Sequence, residues 1–396
     1  MVTRQVNIGE SPHIPLAPWT YSNTEVFDLE YEAFFLRRWQ FVGHISQVKE
    51  PGDYMTARIG RDSVIVIRDK DDSLNAFLNV CRHRGTRLLE GNGSCQGVIK
   101  CPYHGWAYNF DGQLLGVPQE DNFPDFDRSN YGLHRIQLEI FHGFVFVKVQ
   151  GDGESLVEMF AHTADYFQMY DVENYVVCAK ESTQLWEANW KVAWDNYLEN
   201  YHIPVAHPSL NRLLVDLVDE AEELTSGVSV GVFSVKDKLS SVSAERRYQE
   251  QLHVAAQRIP RQLRGKWVQF GVSGNLGIDL YPEFLDIFQL IPLSSEQTLV
   301  RTVYYGHQNP TLEEEQLRRL NIEVNEPVNE EDRLLCERVQ KGLKSTGYSA
   351  GPFSREEEGL YHFHDLVRQL VPVTSLPQAP AEGSIKLSND RLASEG

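Results

Sequence analysis

Four residues between positions 81 and 106 have the types and spacing of metal ligands. Cys81 and His83 form one pair, and Cys101 and His104 form a second pair seventeen residues further on. A structural zinc site is one interpretation, but zinc-finger pairs usually place like ligands together. Here each short loop supplies one thiolate and one imidazole. Two such loops can bind one iron through both thiolates and a second iron through both imidazoles, with sulfides bridging the irons.

A second set of candidate ligands lies in residues 189–210, NWKVAWDNYLENYHIPVAHPSL. On a helix, Asp195, Glu199 and His202 would share one stripe, because they are four and three residues apart. A proline soon after His202 disfavours regular helix, so His207 is expected in the turn that follows. Two imidazoles with a carboxylate from elsewhere in the chain would form a facial triad that leaves positions open for O₂.

The missing carboxylate is expected in residues 329–345, NEEDRLLCERVQKGLKS, where a helix is predicted to begin. Asp332 shares the apolar face of that helix and should point inward. Glu330 points to the opposite side and Glu331 lies between the two directions. Either of these glutamates could simply complement the positive amino-terminal end of the helix. The sequence therefore predicts Asp332 as the third ligand.

The two motifs together resemble a known family. The first resembles the Rieske [2Fe–2S] domain, whose pattern is Cys-x-His followed by Cys-x-x-His, and CPYHGWAYNFDG looks like its second loop. The second resembles the mononuclear-iron motif of Rieske non-heme iron oxygenases, an acid followed by x₂-His-x₄-His. The resemblance to the terminal oxygenase (alpha) subunit implies that Cys81 and Cys101 bind the inner iron of the cluster, and His83 and His104 the outer iron. It also places an aspartate on a late helix, as Asp332 is here.

The resemblance implies a bridging role for Glu199. Aspartate is the commonest acid at this position, where it links the first histidine of the mononuclear Fe(II) to a cluster histidine across a subunit boundary. Glutamate resembles the subset of the family that acts on quaternary ammonium compounds such as carnitine or glycine betaine. Glu199 would hydrogen-bond His104 of the partner subunit, which implies a ring of subunits, a homotrimer. Asp195 is a further candidate catalytic residue beside it.

The expected fold class is α+β, with a small all-β Rieske [2Fe–2S] domain and a helix-grip catalytic domain, in which an antiparallel sheet packs on a long helix. Short β-rich runs separated by turn pairs predict the Rieske domain at residues 39–150. Residues 1–38 are predicted to form a helical segment that packs on the catalytic domain. The mononuclear iron domain is expected at 151–374, and polar composition favours a flexible tail at 375–396.

Periodicity predicts the main elements of the catalytic domain. Residues 184–202 and about 330–345 have the spacing of helices. Residues 276–307 are typical of three antiparallel strands, with turns near residues 281 and 294. These elements would have to bring the second set of ligands together.

Composition excludes some classes of function. The formal charge of −19 argues against binding to nucleic acid or to an anionic membrane, since both need clustered basic residues. No apolar run approaches the roughly 20 residues needed to cross a bilayer, and the amino terminus lacks the pattern of a signal peptide. Five cysteines, an odd number, argue against a disulfide scaffold. A cytoplasmic enzyme is expected.

The expected activity is that of the O₂-dependent component of a multicomponent Rieske system. Electrons would pass from the cluster to the mononuclear Fe(II), where a small organic substrate is hydroxylated. The preferred substrate is a quaternary or methylated amine, which would be hydroxylated or N-demethylated. No Gly-x-Gly-x-x-Gly fingerprint follows a strand, so a separate NAD(P)H-dependent reductase, with or without a ferredoxin, is implied.

Two alternatives stay open at this stage. An aromatic-ring dioxygenase acting on an aromatic acid would need a carboxylate-binding arginine such as Arg301 to face the pocket. A Rieske electron carrier would lack the second metal.

The preferred substrate, a quaternary amine, would need an aromatic wall in the pocket for cation–π contact. The aromatic residues available for such a wall are Trp194, Tyr197, Tyr281, Phe284, Phe288, Tyr304 and Tyr305.

Overall fold

The computed structural model of the chain describes residues 14–215, the backbone of 220–224, and residues 227–272 and 274–395. It has the predicted α+β class, with a β-rich part followed by a large sheet and helices. Residues 1–13 of the predicted amino-terminal segment lie outside the described residues. Within the described parts of the chain, no helix is long and apolar enough to cross a membrane.

The Rieske region consists of three small antiparallel sheets. Their strand orders are β1-β10-β9, β4-β3-β2-β5 and β6-β7-β8. The central strand β3 buries its four apolar residues on both faces, so the sheets enclose their own core. The strands are β1 (Gln40–His44), β2 (Asp53–Ile59), β3 (Asp62–Arg68), β4 (Leu74–Leu78), β5 (Asn92–Ser94), β6 (Ile99–Lys100), β7 (Ala107–Tyr108), β8 (Leu114–Gly116), β9 (Gln137–Phe141) and β10 (Phe144–Lys148).

The catalytic region is built on one antiparallel sheet of eight strands in the order β11-β18-β17-β16-β15-β14-β13, with β12 also paired to β18. The three strands predicted over residues 276–307 are confirmed as β16, β17 and β18. The strands are β11 (Tyr175–Val177), β12 (Ser182–Trp186), β13 (Glu220–Leu224), β14 (Val228–Ser234), β15 (Lys266–Val272), β16 (Leu276–Leu280), β17 (Leu285–Ser294) and β18 (Gln297–His307).

Helices cover this sheet and join it to the amino-terminal segment. The longest, α8, packs against α4 and α7 and holds the position of the late aspartate. The helices are α1 (Thr24–Glu30), α2 (Leu156–Met159), α3 (Ala164–Met169), α4 (Trp190–Tyr197), α5 (Ile203–Ala206), α6 (Pro208–Leu213), α7 (Ser243–Ala255), α8 (Leu312–Gly342), α9 (Glu358–Leu370) and α10 (Ile385–Glu395).

The long helix α8 begins much earlier than the predicted start near residue 330. A reciprocal capping box between Thr311 and Glu314 fixes its first turn. The helix then continues through Pro327, although proline in a helix interior removes a hydrogen bond and costs about 3 kcal/mol. Packing against α4 and α7 outweighs that local cost, so Asp332 lies in the middle of a helix and not at its start.

Both ends of the described chain pack on the catalytic region. Helix α1 continues as a π-helix over Tyr31–Leu36. Glu30 accepts a 2.6 Å bond from the ammonium group of Lys191 on α4, and both side chains are fully buried. At the carboxyl end, the segment predicted as a flexible tail instead carries α10, whose first residue Ile385 is buried in the shared core. Apolar contact of that residue outweighs the polar composition of the segment.

Candidate metal centres and substrate cavity

The two Cys/His loops of the Rieske region adopt the same backbone path. The amide of Cys81 donates to Thr86, and the amide of Cys101 donates to Trp106, both at 2.8 Å. Each loop then turns at a glycine with positive φ, +74° at Gly85 and +75° at Gly105, a conformation that glycine adopts without steric cost. Sequence spacing alone predicted this pair of loops, and the structure brings their ligand residues together.

The four side chains of these loops separate by type. The thiols of Cys81 and Cys101 are buried and lie within hydrogen-bond reach of each other. The two imidazoles lie nearer the surface, with Nδ1 of His83 3.1 Å from Nδ1 of His104. Trp106 stacks on the ring of His83 at 4.9 Å and holds its orientation. Paired sulfur donors inside and paired nitrogen donors outside fit a [2Fe–2S] cluster with different ligands on each iron.

The second ligand set lies at a break between two helices. The continuous helix predicted over residues 184–202 is wrong, since β12 occupies its first part and α4 ends at Tyr197. Glu199 caps the following turn by accepting a bond from the backbone amide of His202 at 3.2 Å. Pro204 then lies in the first turn of α5, where its missing amide hydrogen costs nothing.

This break brings three predicted ligands together. Nε2 of His202 lies 3.1 Å from Nε2 of His207. The carboxylate oxygen Oδ1 of Asp332 lies 2.9 Å from Nε2 of His207 and 3.6 Å from Nε2 of His202. These are the residues whose potential ligand atoms all lie within 4.8 Å of one another, among the residues that the structure describes. Oδ1 of Asp332 is buried and makes no hydrogen bond of normal geometry, although it is this close to His207.

Two glutamates orient the histidines toward that centre. Glu199 bonds Nδ1 of His202 through a short contact, and Glu331 Oε2 lies 2.8 Å from Nδ1 of His207. A Nδ1–H donated to a carboxylate leaves Nε2 with a free lone pair, which is the usual second shell of a metal-bound histidine. Burial lowers the pKa of His207, but the carboxylates of Asp332 and Glu331 raise it overall. The donor set therefore fits a metal ion.

The sequence did not identify Glu331 as part of this arrangement. It was considered only as a charge at a helix start, because the true start of α8 was not predicted. Its carboxylate contacts Nδ1 of His207, while Asp332, the next residue on α8, lies beside Nε2 of the same ring. Asn196 was also missed, and its amide nitrogen lies 3.1 Å from Nε2 of His202.

Asp195 does not join the group. Its carboxylate accepts from the hydroxyl of Tyr21 at 2.9 Å and lies 3.0 Å from Nε2 of His364. Nδ1 of His364 in turn accepts the backbone amide of Leu16. Because α4 ends before Glu199, the predicted stripe is interrupted and Asp195 faces the amino-terminal segment and α9. Its contacts are those of a structural residue.

A cavity of ≈ 150 Å³ opens beside the three clustered residues. Three of the aromatic residues predicted as candidates line it, whereas Trp194, Phe284, Tyr304 and Tyr305 do not. The aromatic residues that line it are Tyr197, Phe233, Trp267, Tyr281 and Phe288.

Two carboxylates also face this cavity, those of Asp279 on β16 and Asp286 on β17. Burial is the main cause that raises the pKa of Asp279 to about 6 and the pKa of Asp286 well above its ordinary value. Neither residue was predicted from the sequence. Their signal was present, since each is an acid that interrupts a buried apolar strand, in LGIDL and LDIF.

Arg301 does not face the cavity. Its guanidinium lies 2.8 Å from Glu181 and 3.2 Å from the amide oxygen of Gln289, and it also donates to the backbone oxygen of Val42. These contacts place it between β18 and the Rieske region. Arg301 is therefore not placed to bind the carboxylate of an aromatic acid in the cavity.

The pairing of a two-loop Cys/His domain with a sheet-and-helix domain that gathers two histidines and a carboxylate defines the class of Rieske-type oxygenases. Comparison with known proteins identifies the family. Residues 38–127 match the Rieske [2Fe-2S] domain, and residues 149–372 match the ring hydroxylating alpha subunit (catalytic domain). The chain belongs to this family of oxygenase alpha subunits, and its cofactors are a [2Fe–2S] cluster and a mononuclear iron.

Individual relatives are similar over most of their length. The carnitine monooxygenase oxygenase subunit of Acinetobacter pittii is 30% identical, over 90% of this chain and 95% of that protein. The glycine betaine monooxygenase oxygenase subunit of Pseudomonas aeruginosa is 28% identical, over 87% of this chain and 86% of that protein. A solved quaternary ammonium Rieske monooxygenase, described for carnitine oxidation and inter-subunit electron transfer, has a TM-score of 0.75 at 27% identity and covers 90% of this chain and 95% of its own.

Proposed function

We propose that this oxygenase hydroxylates a small quaternary or methylated amine at a carbon beside the nitrogen. The observation that carries the proposal is the cavity, where aromatic walls and a carboxylate pair open onto His202, His207 and Asp332. Aromatic faces attract organic cations, and a carboxylate adds to that attraction. The similar proteins named for carnitine and glycine betaine support the same substrate class.

Cys81 and Cys101 are proposed to hold the inner iron of the cluster, and His83 and His104 the outer iron. The mononuclear iron is assigned to the group of two histidines and one aspartate described above. When bound, the cluster supplies single electrons and the mononuclear iron supplies O₂ activation. The chain's own residues orient these ligands, hold the substrate against the aromatic walls and keep water away from the reacting carbon.

The overall reaction inserts one oxygen atom into a C–H bond beside nitrogen. The other oxygen atom leaves as water, which consumes two electrons and two protons. A hydroxymethyl group on nitrogen then breaks down to the demethylated amine and formaldehyde. The electrons come from NAD(P)H through a separate reductase, with or without a ferredoxin, because this chain carries the oxygenase chemistry alone.

Glu199 is proposed to link His202 to His104 of the partner subunit in a homotrimer. Two large apolar residues near Glu199 are exposed, Tyr201 in the turn at 62% and Val205 on α5 at 88%. Tyr103, beside His104 on the cluster loop, is 55% exposed. A second chain seated on these residues would remove their apolar area from water. A cytoplasmic location is proposed because none of the five cysteines forms a disulfide.

Replacing Glu331 with alanine is expected to weaken retention of the mononuclear iron by about 10- to 100-fold. The variant loses the carboxylate that lies 2.8 Å from Nδ1 of His207 and fixes the orientation of that ring. Iron content after dialysis against a graded chelator measures the effect. Glu330→Ala is the matched control, since Glu330 precedes it on α8 and contacts Gln184 and Arg333 instead. Equal iron retention in both variants would contradict the orienting role.

The proposed function is tested by a single-turnover experiment. The purified protein is reduced without oxygen and mixed with O₂ in the presence of carnitine, glycine betaine, stachydrine, choline, benzoate or phthalate. Oxidation of the cluster is followed optically, and products are analysed. A methylated amine is expected to accelerate cluster oxidation and to yield formaldehyde or another aldehyde. Acceleration by an aromatic acid, with a ring diol as product, would overturn the proposal.

A further inference from the structure

Apart from the proposed iron site, the charged side chains that line the described part of the cavity are acidic. Besides the clustered ligands and Glu199, the carboxylates that line it are those of Asp279 and Asp286. Lys and Arg are absent from the described lining residues. The internal residues whose side chains the structure does not describe, 216–226 and 273, include neither Lys nor Arg in their sequence. An anionic group of a bound ligand would therefore find no basic side chain there.

The two aspartates form a directly coupled pair. They lie opposite each other in the register of β16 and β17, and their carboxyl groups are within hydrogen-bond reach of one another. The hydroxyl of Tyr197 lies 2.9 Å from Oδ1 of Asp279 and provides a donor. Two ionised carboxylates at this separation would repel strongly, so such a pair retains one proton. The pair thus carries about one negative charge near neutral pH, where burial holds the pKa of Asp279 at about 6.

Aromatic rings enclose the space in front of this pair. Tyr197 and Phe288 stack at 5.3 Å, and Trp267 meets the ring of Tyr281 edge-on at 5.0 Å. The rings offer π faces and the pair offers a single negative charge, so together they match a single positive charge on a compact ligand. A cavity of ≈ 150 Å³ has the size that holds a benzene-sized molecule.

We infer that this cavity selects a small organic monocation that has no carboxylate, and that Asp279 with Asp286 is the anionic subsite that recognises its charge. The inference rests on the proposed function and narrows it. A quaternary ammonium alcohol such as choline, or a methylated alkylamine, meets these conditions. A betaine would bring its own carboxylate into a pocket that already holds negative charge and whose described lining has no Lys or Arg, so no basic side chain would offset the cost of desolvating that carboxylate.

A basic residue, Arg355, lies in a groove that adjoins the cavity. The groove shares Tyr197, Phe233 and Gln269 with the cavity. Arg355 itself is exposed. A zwitterionic ligand that extended out of the cavity would have to use this residue for its carboxylate. Recognition of a monocation would therefore depend on Asp279 and Asp286, whereas recognition of a zwitterion would depend on Arg355.

The experiment compares choline, glycine betaine and L-carnitine on the anaerobic holoenzyme. Isothermal titration calorimetry gives the dissociation constants, and the single-turnover assay gives the rate of cluster oxidation with each ligand. Choline is expected to bind at least about tenfold more tightly than glycine betaine. Asp279→Asn should weaken choline binding by about 10- to 100-fold, the worth of one charged hydrogen-bonding partner. Asp165→Asn, an exposed acid away from the cavity, should leave it unchanged.

Each outcome has a defined meaning. Tighter binding of glycine betaine or carnitine, lost in Arg355→Ala and kept in Asp279→Asn, would overturn the inference and leave the proposed function standing. Failure of all three ligands to bind would also overturn it. Triggering by aromatic acids alone would overturn the proposed function itself. The ligand series on the unaltered enzyme decides the question even where Asp279→Asn fails to fold, and Asp286→Asn provides a second variant.

Discussion

Replacing Asp332 with alanine is expected to reduce the iron content from about three to about two atoms per chain and to lower turnover by more than about a hundredfold. Asp332 supplies the carboxylate of the proposed triad, and its Oδ1 lies 2.9 Å from Nε2 of His207. Two imidazoles without that oxygen form an incomplete site for a divalent metal. The buried oxygen that lacks a hydrogen bond in the structure is the atom that the metal would satisfy.

The measurement for Asp332→Ala combines metal analysis with the optical spectrum of the cluster. The spectrum should be unchanged, because Cys81, His83, Cys101 and His104 belong to separate loops of the Rieske region. Glu330→Ala is again the control on the same helix and should keep about three irons. Retention of about three irons in Asp332→Ala would show that another residue completes the site.

Replacing Glu199 with glutamine is expected to keep both metal centres and to lower coupled turnover by about a hundredfold or more. The glutamine oxygen can still accept the Nδ1–H of His202, so the ligand keeps its orientation. Its amide group offers hydrogens where the carboxylate offered a second acceptor oxygen. The proposed hydrogen bond to His104 of the partner subunit would then be lost, and with it the proposed link between the centres of two chains.

Metal analysis, the rate of cluster reduction and the rate of cluster oxidation together separate the possible roles of Glu199. The cluster of Glu199→Gln should still be reduced by the reductase, whereas its oxidation in the presence of substrate and O₂ should slow. Asp195→Asn is the matched control, because Asp195 lies four residues earlier and contacts Tyr21 and His364. Wild-type turnover in Glu199→Gln would refute the bridging role. Loss of the mononuclear iron in that variant would show that orientation of His202 is its main contribution.

Ligand sets that are close in sequence could be predicted from spacing. Cys81 with His83, and Cys101 with His104, each lie within one tight loop, so local geometry already limits what they can bind. The same holds for His202, which Glu199 reaches within one turn. Asp332 was also placed correctly as an inward-facing residue, because its helix face was apolar even though the helix start was predicted too late.

Features that depend on packing between distant segments could not be predicted in the same way. Helix α4 ends at Tyr197, and α8 continues through Pro327, against the local preferences of both stretches. The helix at 385–395 forms because Ile385 enters the shared core. In each case long-range contacts outweigh local propensity, and a single sequence does not show which contacts will form.

The sequence by itself indicated the family chemistry of this protein, a two-iron Cys/His domain joined to a mononuclear iron domain, because the Cys/His loops and the acid-His-His motif are local patterns that resemble those of a known family. Only the tertiary structure decided which side chains line the cavity. Asp279 and Asp286 reach the cavity from neighbouring strands, while Phe233 and Trp267 come from two others. The pairing of strands and the packing of α8 set that arrangement. The charge and shape of a cavity depend on residues that are distant in sequence and that only the fold brings together.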